Sequence, residues 1–251
     1  MRQMRIYLLI AFITLVGANT AHAEQFIKPS YIDLLKTLVR FNAIELSDND
    51  VIDEYAIATE CKTYVAYYRD DFAWQKFRQV LRASLQQDAA TIPASYYYDA
   101  EVQLDRYDFK ESMYQLTAKS APSNVNSFII YSASDVECGN GKVLLLPKSF
   151  RLVLDQSLHI SGIPLVEADA KLLLQRMEIN DNRDRLIYAR FNLRVVDVPP
   201  FRRPKAAGNE TKVPLVQDIA DPSRVRMKAQ LGSVDFYEDK GHTKLIYSYR
   251  P

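Results

Sequence analysis

The sequence predicts an α+β fold in which N-terminal helices pack on a mainly antiparallel β-sheet. Two observations lead to this prediction. Apolar residues recur at helical spacing through the first third of the chain, and from Ser95 onward they alternate with polar residues at a period of two. Helices that come first and strands that follow are typical of this class rather than of alternating α/β proteins. We therefore divide the chain into a helical region, 24–92, and a β-rich region, 93–251.

Residues 1–23 have the three parts of a cleavable signal peptide. Arg2 and Arg5 form a positive start, and an apolar run at residues 6–17 follows them. This run is shorter than the ~20 residues that a membrane-spanning helix needs, and Ala21-His22-Ala23 is a small-x-small cleavage pattern. We expect cleavage after Ala23, export to the periplasm or the medium, and no transmembrane anchor in the mature chain.

Four helices are predicted in the N-terminal region. Side chains suited to N-capping precede three of them: Ser30, Asp48 or Asp50, and Asp70 or Asp71. The fourth helix carries apolar residues at helical spacing, namely Trp74, Phe77, Leu81 and Leu85. These patterns indicate amphipathic helices that pack on a common core.

Strands are predicted through the rest of the chain, together with one further helix. The first strand alternates between an apolar face and an outer face that carries Tyr97, Asp99, Glu101 and Asp105. Further strands are expected at 106–116, 127–132, 150–160, 187–195, 224–237 and 243–249. A helix is expected near 166–178, ended by Asn180-Asp181-Asn182, and a long proline-rich loop near 199–222.

An irregularity is predicted within one late strand, at Gly232-Ser233. The apolar residues from Val225 to Leu231 have odd numbers, whereas Val234 and Phe236 have even numbers. One extra residue would return both sets to the same face of the sheet, and glycine often marks such a site. The sequence therefore predicts a β-bulge.

Cys61 and Cys138 are the only cysteines. In an exported chain such a pair is expected to form a disulfide, here closing a loop of about 77 residues and contributing roughly 4.5 kcal/mol. The helix that carries Cys61 also presents Tyr64 and Tyr68, so we expect Cys61 to point towards the core. The alternative is a free thiol nucleophile with His159 as its base.

Composition argues against several classes of function. Removal of Arg2 and Arg5 with the signal peptide lowers the formal charge from +1 to −1, so no net positive field attracts nucleic acid. Seven glycines and the lack of a phosphate-loop pattern argue against nucleotide cofactors. His159 and His242 are too far apart for a local zinc motif, and the segment starting at Asn180 has Arg185 where a calcium loop needs glycine. We expect no cofactor and no metal.

Two further patterns could indicate catalysis. His159 lies four residues after Asp155 on the outward side of its strand, which could form a His–Asp dyad, although we expect an exposed and dispensable histidine. Asp99 and Glu101 could act as paired glycosidase carboxylates, but strand alternation alone explains their spacing. A basic row, Arg224, Arg226 and Lys228, is expected to pair with acids across strands.

Three segments resemble a family of exported bacterial proteins known only as a domain of unknown function. They are Asp70-Asp71-Phe72-Ala73-Trp74-Gln75-Lys76, Arg106-Tyr107-Asp108-Phe109 and Tyr188-Ala189-Arg190-Phe191. The resemblance implies an exported protein and assigns no catalytic residue.

The function itself is unknown from sequence, and two hypotheses stay open. The first is an exported binding or interaction module for an envelope protein or glycan. It follows from the missing catalytic motifs, the scarcity of glycine and the 16 tyrosines. The alternative is an envelope-directed hydrolase that acts on glycan or peptide through Asp99 and Glu101 or through His159.

Overall fold

A computed structural model describes residues 25–132, 136–200, 217–218 and 221–251. The predicted signal peptide and most of the predicted loop at 199–222 lie outside these ranges. The α+β class is confirmed, because helices precede a mainly antiparallel sheet. Within the described ranges, none of the helices has the length and apolarity that a membrane crossing requires.

Four helices form the N-terminal part: α1 (Tyr31–Arg40), α2 (Asn49–Thr59), α3 (Cys61–Tyr67) and α4 (Asp71–Thr91). Ser30 caps α1 by accepting the Asp33 N–H. Asp48 caps α2, and Asp70 caps α4. The structure thus decides between the alternatives that the sequence left open for α2 and α4. Whether residues 24–92 form a domain separate from 93–251 stays a prediction.

Eleven strands and one helix follow within the described ranges. They are β1 (Ser95–Asp108), β2 (Met113–Leu116), β3 (Ser123–Ser132), β4 (Glu137–Cys138), β5 (Gly141–Lys142), β6 (Ser149–His159), β7 (Gly162–Pro164), α5 (Glu167–Ile179), β8 (Leu186–Asp197), β9 (Gln217–Asp218), β10 (Asp221–Tyr237) and β11 (Leu245–Tyr249). The helix expected near 166–178 is α5. The strand expected at 106–116 is wrong as a continuous element, because the Asp108 carboxylate accepts the N–H groups of Lys110 and Glu111 and turns the chain.

The main sheet has the strand order β3-β6-β10-β8-β1-β2-β7, with β9 and β11 also paired to β10. Among the described strands, β6 and β10 are the parallel pair, and the other neighbours are antiparallel. The sheet curls, since Tyr98 of β1 and Phe128 of β3 lie four strands apart in this order yet their ring centroids are 5.4 Å apart. The concave face holds the core.

Helix α1 fills the concave side of the sheet. Leu34 and Leu38 are fully buried, and Tyr31 stacks on Tyr131 of β3 at 5.6 Å between ring centroids. The Tyr96 hydroxyl of β1 donates to the Asp33 carbonyl at 3.1 Å. Because α1 occupies this side, the opposite face of β1, β8 and β10 is left uncovered by it.

The predicted bulge is present in β10. The register of β10 against β8 shifts between Leu231 and Ser233, which leaves Gly232 as the extra residue. Val234 and Phe236 are therefore buried on the same side as Val225. The alternation that the sequence breaks at this point is restored by the backbone.

A disulfide joins Cys61 of α3 to Cys138 of β4, the pair that the sequence predicted. Their Cα atoms are 5.5 Å apart, and Cys138 is buried. The expectation that Cys61 points to the core is wrong. Cys61 is exposed, and α3 has no buried residue, because this short helix lies on the surface of α2 and α4 and only Tyr64 and Tyr68 lean inward.

Candidate functional site

The outer face of β1, β8 and β10 brings polar and aromatic side chains from three distant parts of the chain together. Asp99 of β1 pairs with Arg190 of β8, which pairs in turn with Asp235 of β10. In the next row, Tyr188 lies between Glu101 and Tyr237. We use the name Arg190 cluster for six residues: Tyr97, Asp99, Tyr188, Arg190, Tyr237 and His242.

Arg190 is the centre of this cluster. Its guanidinium makes two parallel hydrogen bonds to Asp99, from Nε to Oδ1 at 2.8 Å and from Nη2 to Oδ2 at 2.9 Å. The same guanidinium stacks over the Tyr97 ring, with 3.9 Å between Cζ and the ring centroid. The hydrogen bonds to Asp99 raise the pKa of Arg190. This bidentate geometry fixes both side chains in one plane.

His242 folds back over the cluster from the turn between β10 and β11. Its positive φ of 55° lets the turn reverse, and the Asp239 carboxylate holds the turn by accepting the N–H groups of Thr243 and Lys244. The imidazole packs edge-on against Tyr237, with ring centroids 4.9 Å apart. Its side chain is 10% exposed, so the imidazole is largely shielded from solvent by its contacts with the cluster.

The hydrogen bonds of His242 determine what its ring can do. Arg190 Nη2 lies 3.2 Å from Nδ1, and because a guanidinium only donates, Nδ1 is the acceptor. A neutral imidazole in this position carries its proton on Nε2, which is 3.5 Å from Asp99 Oδ1. The acceptor nitrogen is occupied and both Asp99 oxygens are bound by Arg190. The arrangement therefore suits binding through fixed donors and rings rather than proton abstraction.

Asp235 anchors the neighbouring part of this face. Its carboxylate accepts hydrogen bonds from Asn192 Nδ2 at 2.7 Å, Ser233 Oγ at 3.2 Å and Ser248 Oγ at 2.5 Å. Burial, followed by the charge of Asp235, raises the pKa of the Tyr237 hydroxyl. The bulge at Gly232 makes this possible, since it places Ser233, Asp235 and Tyr237 on the outer face.

A comparison with known families identifies the chain. Residues 48–176, which are 129 of the 251 residues, match the family model described as "Domain of unknown function (DUF4852)". The chain belongs to this family. The resemblance found in the sequence is thereby confirmed as far as the family is concerned. No curated protein and no solved structure matches the chain.

The DUF4852 segment holds only part of the Arg190 cluster. It includes Tyr97 and Asp99 on β1, together with the disulfide between Cys61 and Cys138. Tyr188, Arg190, Tyr237 and His242 follow it in the sequence. The cluster is therefore completed by strands that lie beyond the matched residues.

The other residues that the sequence singled out do not converge on a site in this DUF4852 protein. His159 and Asp155 are both exposed on β6, which agrees with the expected surface histidine. Cys61 and Cys138 leave no free thiol to act as a nucleophile. Asp99 is bound to Arg190, whereas Glu101 is exposed one row away.

The remaining polar patterns have structural explanations. Asn182 closes the turn after α5 by bonding to both the N–H and the carbonyl of Leu186, as a capping role predicts. The described residues contain no group of three or more histidine, cysteine or acidic side chains that could hold a metal. In the basic row, Lys228 lies 4.0 Å from Asp155 across the strands.

Sequence reasoning missed Arg190 and His242 as members of a site. The sequence predicts that Tyr97 and Asp99 lie on the outer face, and Tyr188 and Arg190 belong to a segment that resembles the family. The available signal was the outward parity of Arg190 opposite buried Ala189 and Phe191. The register that pairs Arg190 with Asp99 has no local signal in the sequence.

A groove lies between the C-terminal end of α1 and α4. This groove of about 700 Å³ is lined by the loop after α1, including Ala43 and Ile44, and by Gln86 and Ala89 of α4. Arg40, at its edge, donates to the Ile92 carbonyl. Of the ionisable residues that line the groove, Arg40 is engaged in this way and Glu45 accepts a hydrogen bond from Ser47 Oγ, so the groove is the weaker candidate.

Proposed function

We propose that this chain is an exported binding or interaction module that recognises an envelope component through the Arg190 cluster. The observation that carries the proposal is the mutual pairing of Asp99, Arg190 and His242. The groups are held in place before any ligand arrives, which lowers the entropic cost of binding. Their paired state leaves none of them as a ready general base.

The openness of this face also supports binding over hydrolysis. Glycosidase carboxylates need to converge from opposite sides of a bond, at about 5 to 9 Å from each other. Here Asp99 and Glu101 project from the same side of one strand, and Asp99 is engaged by Arg190. The partly exposed rings of Tyr97, Tyr188 and Tyr237 suit a recognition surface.

Export to the periplasm or the medium is part of the same proposal. Residues 1–23 have the pattern of a cleavable signal peptide. A disulfide between Cys61 and Cys138 is typical of proteins that reside in oxidising compartments. An envelope component is therefore the class of partner that the chain would meet.

Co-sedimentation of the purified mature chain with an insoluble cell-envelope preparation tests the proposal. We expect the wild-type chain to sediment and the double variant Tyr188→Ala/Tyr237→Ala to stay largely in solution. Tyr67→Ala is the matched control, because Tyr67 is an exposed tyrosine on α3. No sedimentation of the wild type, or equal sedimentation of the double variant, would overturn the proposal. Release of soluble fragments that Asp99→Asn abolishes would instead support the hydrolase.

A further inference from the structure

We infer that the ligand of the Arg190 cluster is an uncharged sugar chain. The inference rests on the proposed function and specifies its ligand.

The three tyrosines of the cluster supply apolar surfaces that are fixed in orientation. Tyr97 is held by the guanidinium of Arg190, and Tyr237 is held by a T-shaped contact with His242. Tyr188 is also in edge contact with His242, at 6.3 Å between ring centroids. Each ring is only partly buried. A tyrosine ring with its hydroxyl matches a sugar, which has an apolar C–H face bordered by hydroxyl groups.

The charges of the cluster are balanced within the chain. Asp99 and Arg190 neutralise each other and remain 37% and 24% exposed. A carboxylate and a guanidinium in one plane place acceptors beside donors, as neighbouring sugar hydroxyls require. Asp235 is saturated by three internal donors. The cluster therefore favours a polar ligand without a net charge.

Charged ligands fit this surface less well. The exposed carboxylate of Glu101 borders the cluster and would repel an acidic polysaccharide. A cationic side chain binds best where an aromatic face lies beside a carboxylate. Beside Asp99, Arg190 already occupies that position on the Tyr97 ring, at 3.9 Å from the centroid. The other such position is the Tyr188 ring, which is the cross-strand partner of Glu101, and the pentalysine probe below tests it.

The extent of the cluster suits a chain of sugars. It spans β1, β8 and β10, which are hydrogen-bonded neighbours. Two strand spacings amount to roughly 10 Å across the face. Tyrosines at both ends of this span, Tyr97 on β1 and Tyr237 on β10, would allow more than one ring of the ligand to be in contact.

Calorimetric titration of the mature chain with defined probes tests the ligand class. The neutral probes are the N-acetylglucosamine tetramer, cellotetraose and maltotetraose, and the cationic probe is pentalysine. We expect at least one neutral probe to bind. Tyr188→Ala should weaken its Kd at least tenfold, and Tyr188→Phe, which keeps the ring, should retain most of the affinity. Tyr67→Ala should bind as the wild type does.

The outcomes separate this inference from the proposed function. If envelope sedimentation depends on Tyr188 and Tyr237 but no neutral probe binds, the sugar inference is overturned and the binding function stands. Binding of pentalysine that Tyr188→Ala abolishes would also overturn it. If the wild-type chain neither sediments with the envelope nor binds a probe, both fail. Melting temperatures equal to the wild type would show that each variant is folded.

Discussion

Glu54 is a buried carboxylate that accepts hydrogen bonds from three consecutive backbone N–H groups. It lies on α2 and accepts the N–H groups of Leu144, Leu145 and Leu146 at 2.6 to 3.0 Å. These bonds attach the segment after β5 to the helical layer. Backbone N–H groups can replace the water around a buried carboxylate only while all of them are in place. The arrangement is therefore sensitive to removal of the Glu54 side chain.

Glu54→Ala is expected to lower the free energy of unfolding by about 3 kcal/mol, because it leaves three backbone N–H groups, of which that of Leu146 is buried, without their acceptor. Urea unfolding measures the loss. Glu178→Ala, an exposed glutamate on α5, is the control and should change stability by less than about 0.5 kcal/mol. A loss at Glu54 no larger than at Glu178 would contradict the assigned role.

The buried tyrosines predict how stability responds to alkali. Burial raises the pKa of Tyr31, Tyr55 and Tyr96, that of Tyr55 to about 12. The unfolded chain releases these protons near pH 10, so the stabilisation is complete below about pH 10 and is lost as the pH rises towards the folded-state pKa. In that window, each of these tyrosines lowers the free energy of unfolding by about 1.4 kcal/mol per pH unit.

Tyr55→Phe should therefore make the loss of stability above about pH 10 shallower by about 1.4 kcal/mol per pH unit. Urea unfolding at a series of alkaline pH values measures this slope. Tyr67→Phe, at an exposed site, should leave the slope unchanged. Identical slopes for wild type and Tyr55→Phe would show that Tyr55 does not titrate differently on unfolding.

At the level of elements, β10 determines the composition of both sheet faces. Its bulge divides the strand into two alternating segments, and the apolar residues of both segments face the core. Gly232 is suited to this site, because an added Cβ would lie 3.0 Å from Phe26 Cζ and 3.4 Å from the Asn192 carbonyl oxygen. After the bulge, Ser233, Asp235 and Tyr237 therefore lie on the outer face, while Val234 and Phe236 lie on the core side.

Deletion of Gly232 is expected to leave unfolding cooperative, because removal of the extra residue gives a regular strand in which Val234 and Phe236 still face the core and Asp235 still faces outward. Gly232→Ala keeps the bulge and should cost only about 1 kcal/mol, since the Phe26 ring must move slightly. Thermal unfolding followed by circular dichroism measures both variants. Loss of the cooperative transition in the deletion variant would contradict the assignment of Gly232 as the extra residue.

Helix α3 depends on the disulfide more than on packing. None of its residues is buried, and Cys61 itself is exposed. Reduction should speed hydrogen exchange in α3 and in the β4–β5 hairpin while β8 stays protected, because β8 is a central strand. Hydrogen exchange with and without reductant measures this. Equal protection of α3 in both states would contradict it.

The elements that local patterns determine were predictable, and those that depend on pairing were not. The starts of three helices were predictable because Ser30, Asp48 and Asp70 have side chains suited to N-capping. The bulge was predictable because the numbering of the apolar residues changes from odd to even at Gly232. The parallel pairing of β6 with β10 has no local signal, since it joins residues that lie about 75 positions apart. The exposed position of Cys61 was also hidden, because ring spacing alone does not show what covers a short helix.

For the whole molecule, the same limit explains why the Arg190 cluster was only partly anticipated. Its members come from β1, from β8 and from the turn after β10, and parity showed which of them face outward. That Asp99, Arg190 and His242 meet follows from strand register and from the positive φ of His242. Both depend on tertiary structure. The site is therefore a property of the assembled sheet.

The most direct measurement of the central claim, that this assembled face is where the ligand binds, is hydrogen exchange with and without a solubilised envelope glycan digest. We predict that the digest slows exchange at residues 97–101, 188–192 and 235–242, and leaves α3 and the groove beside α4 unchanged. Protection confined to α3 or to the groove, with none at the Arg190 cluster, would contradict the account.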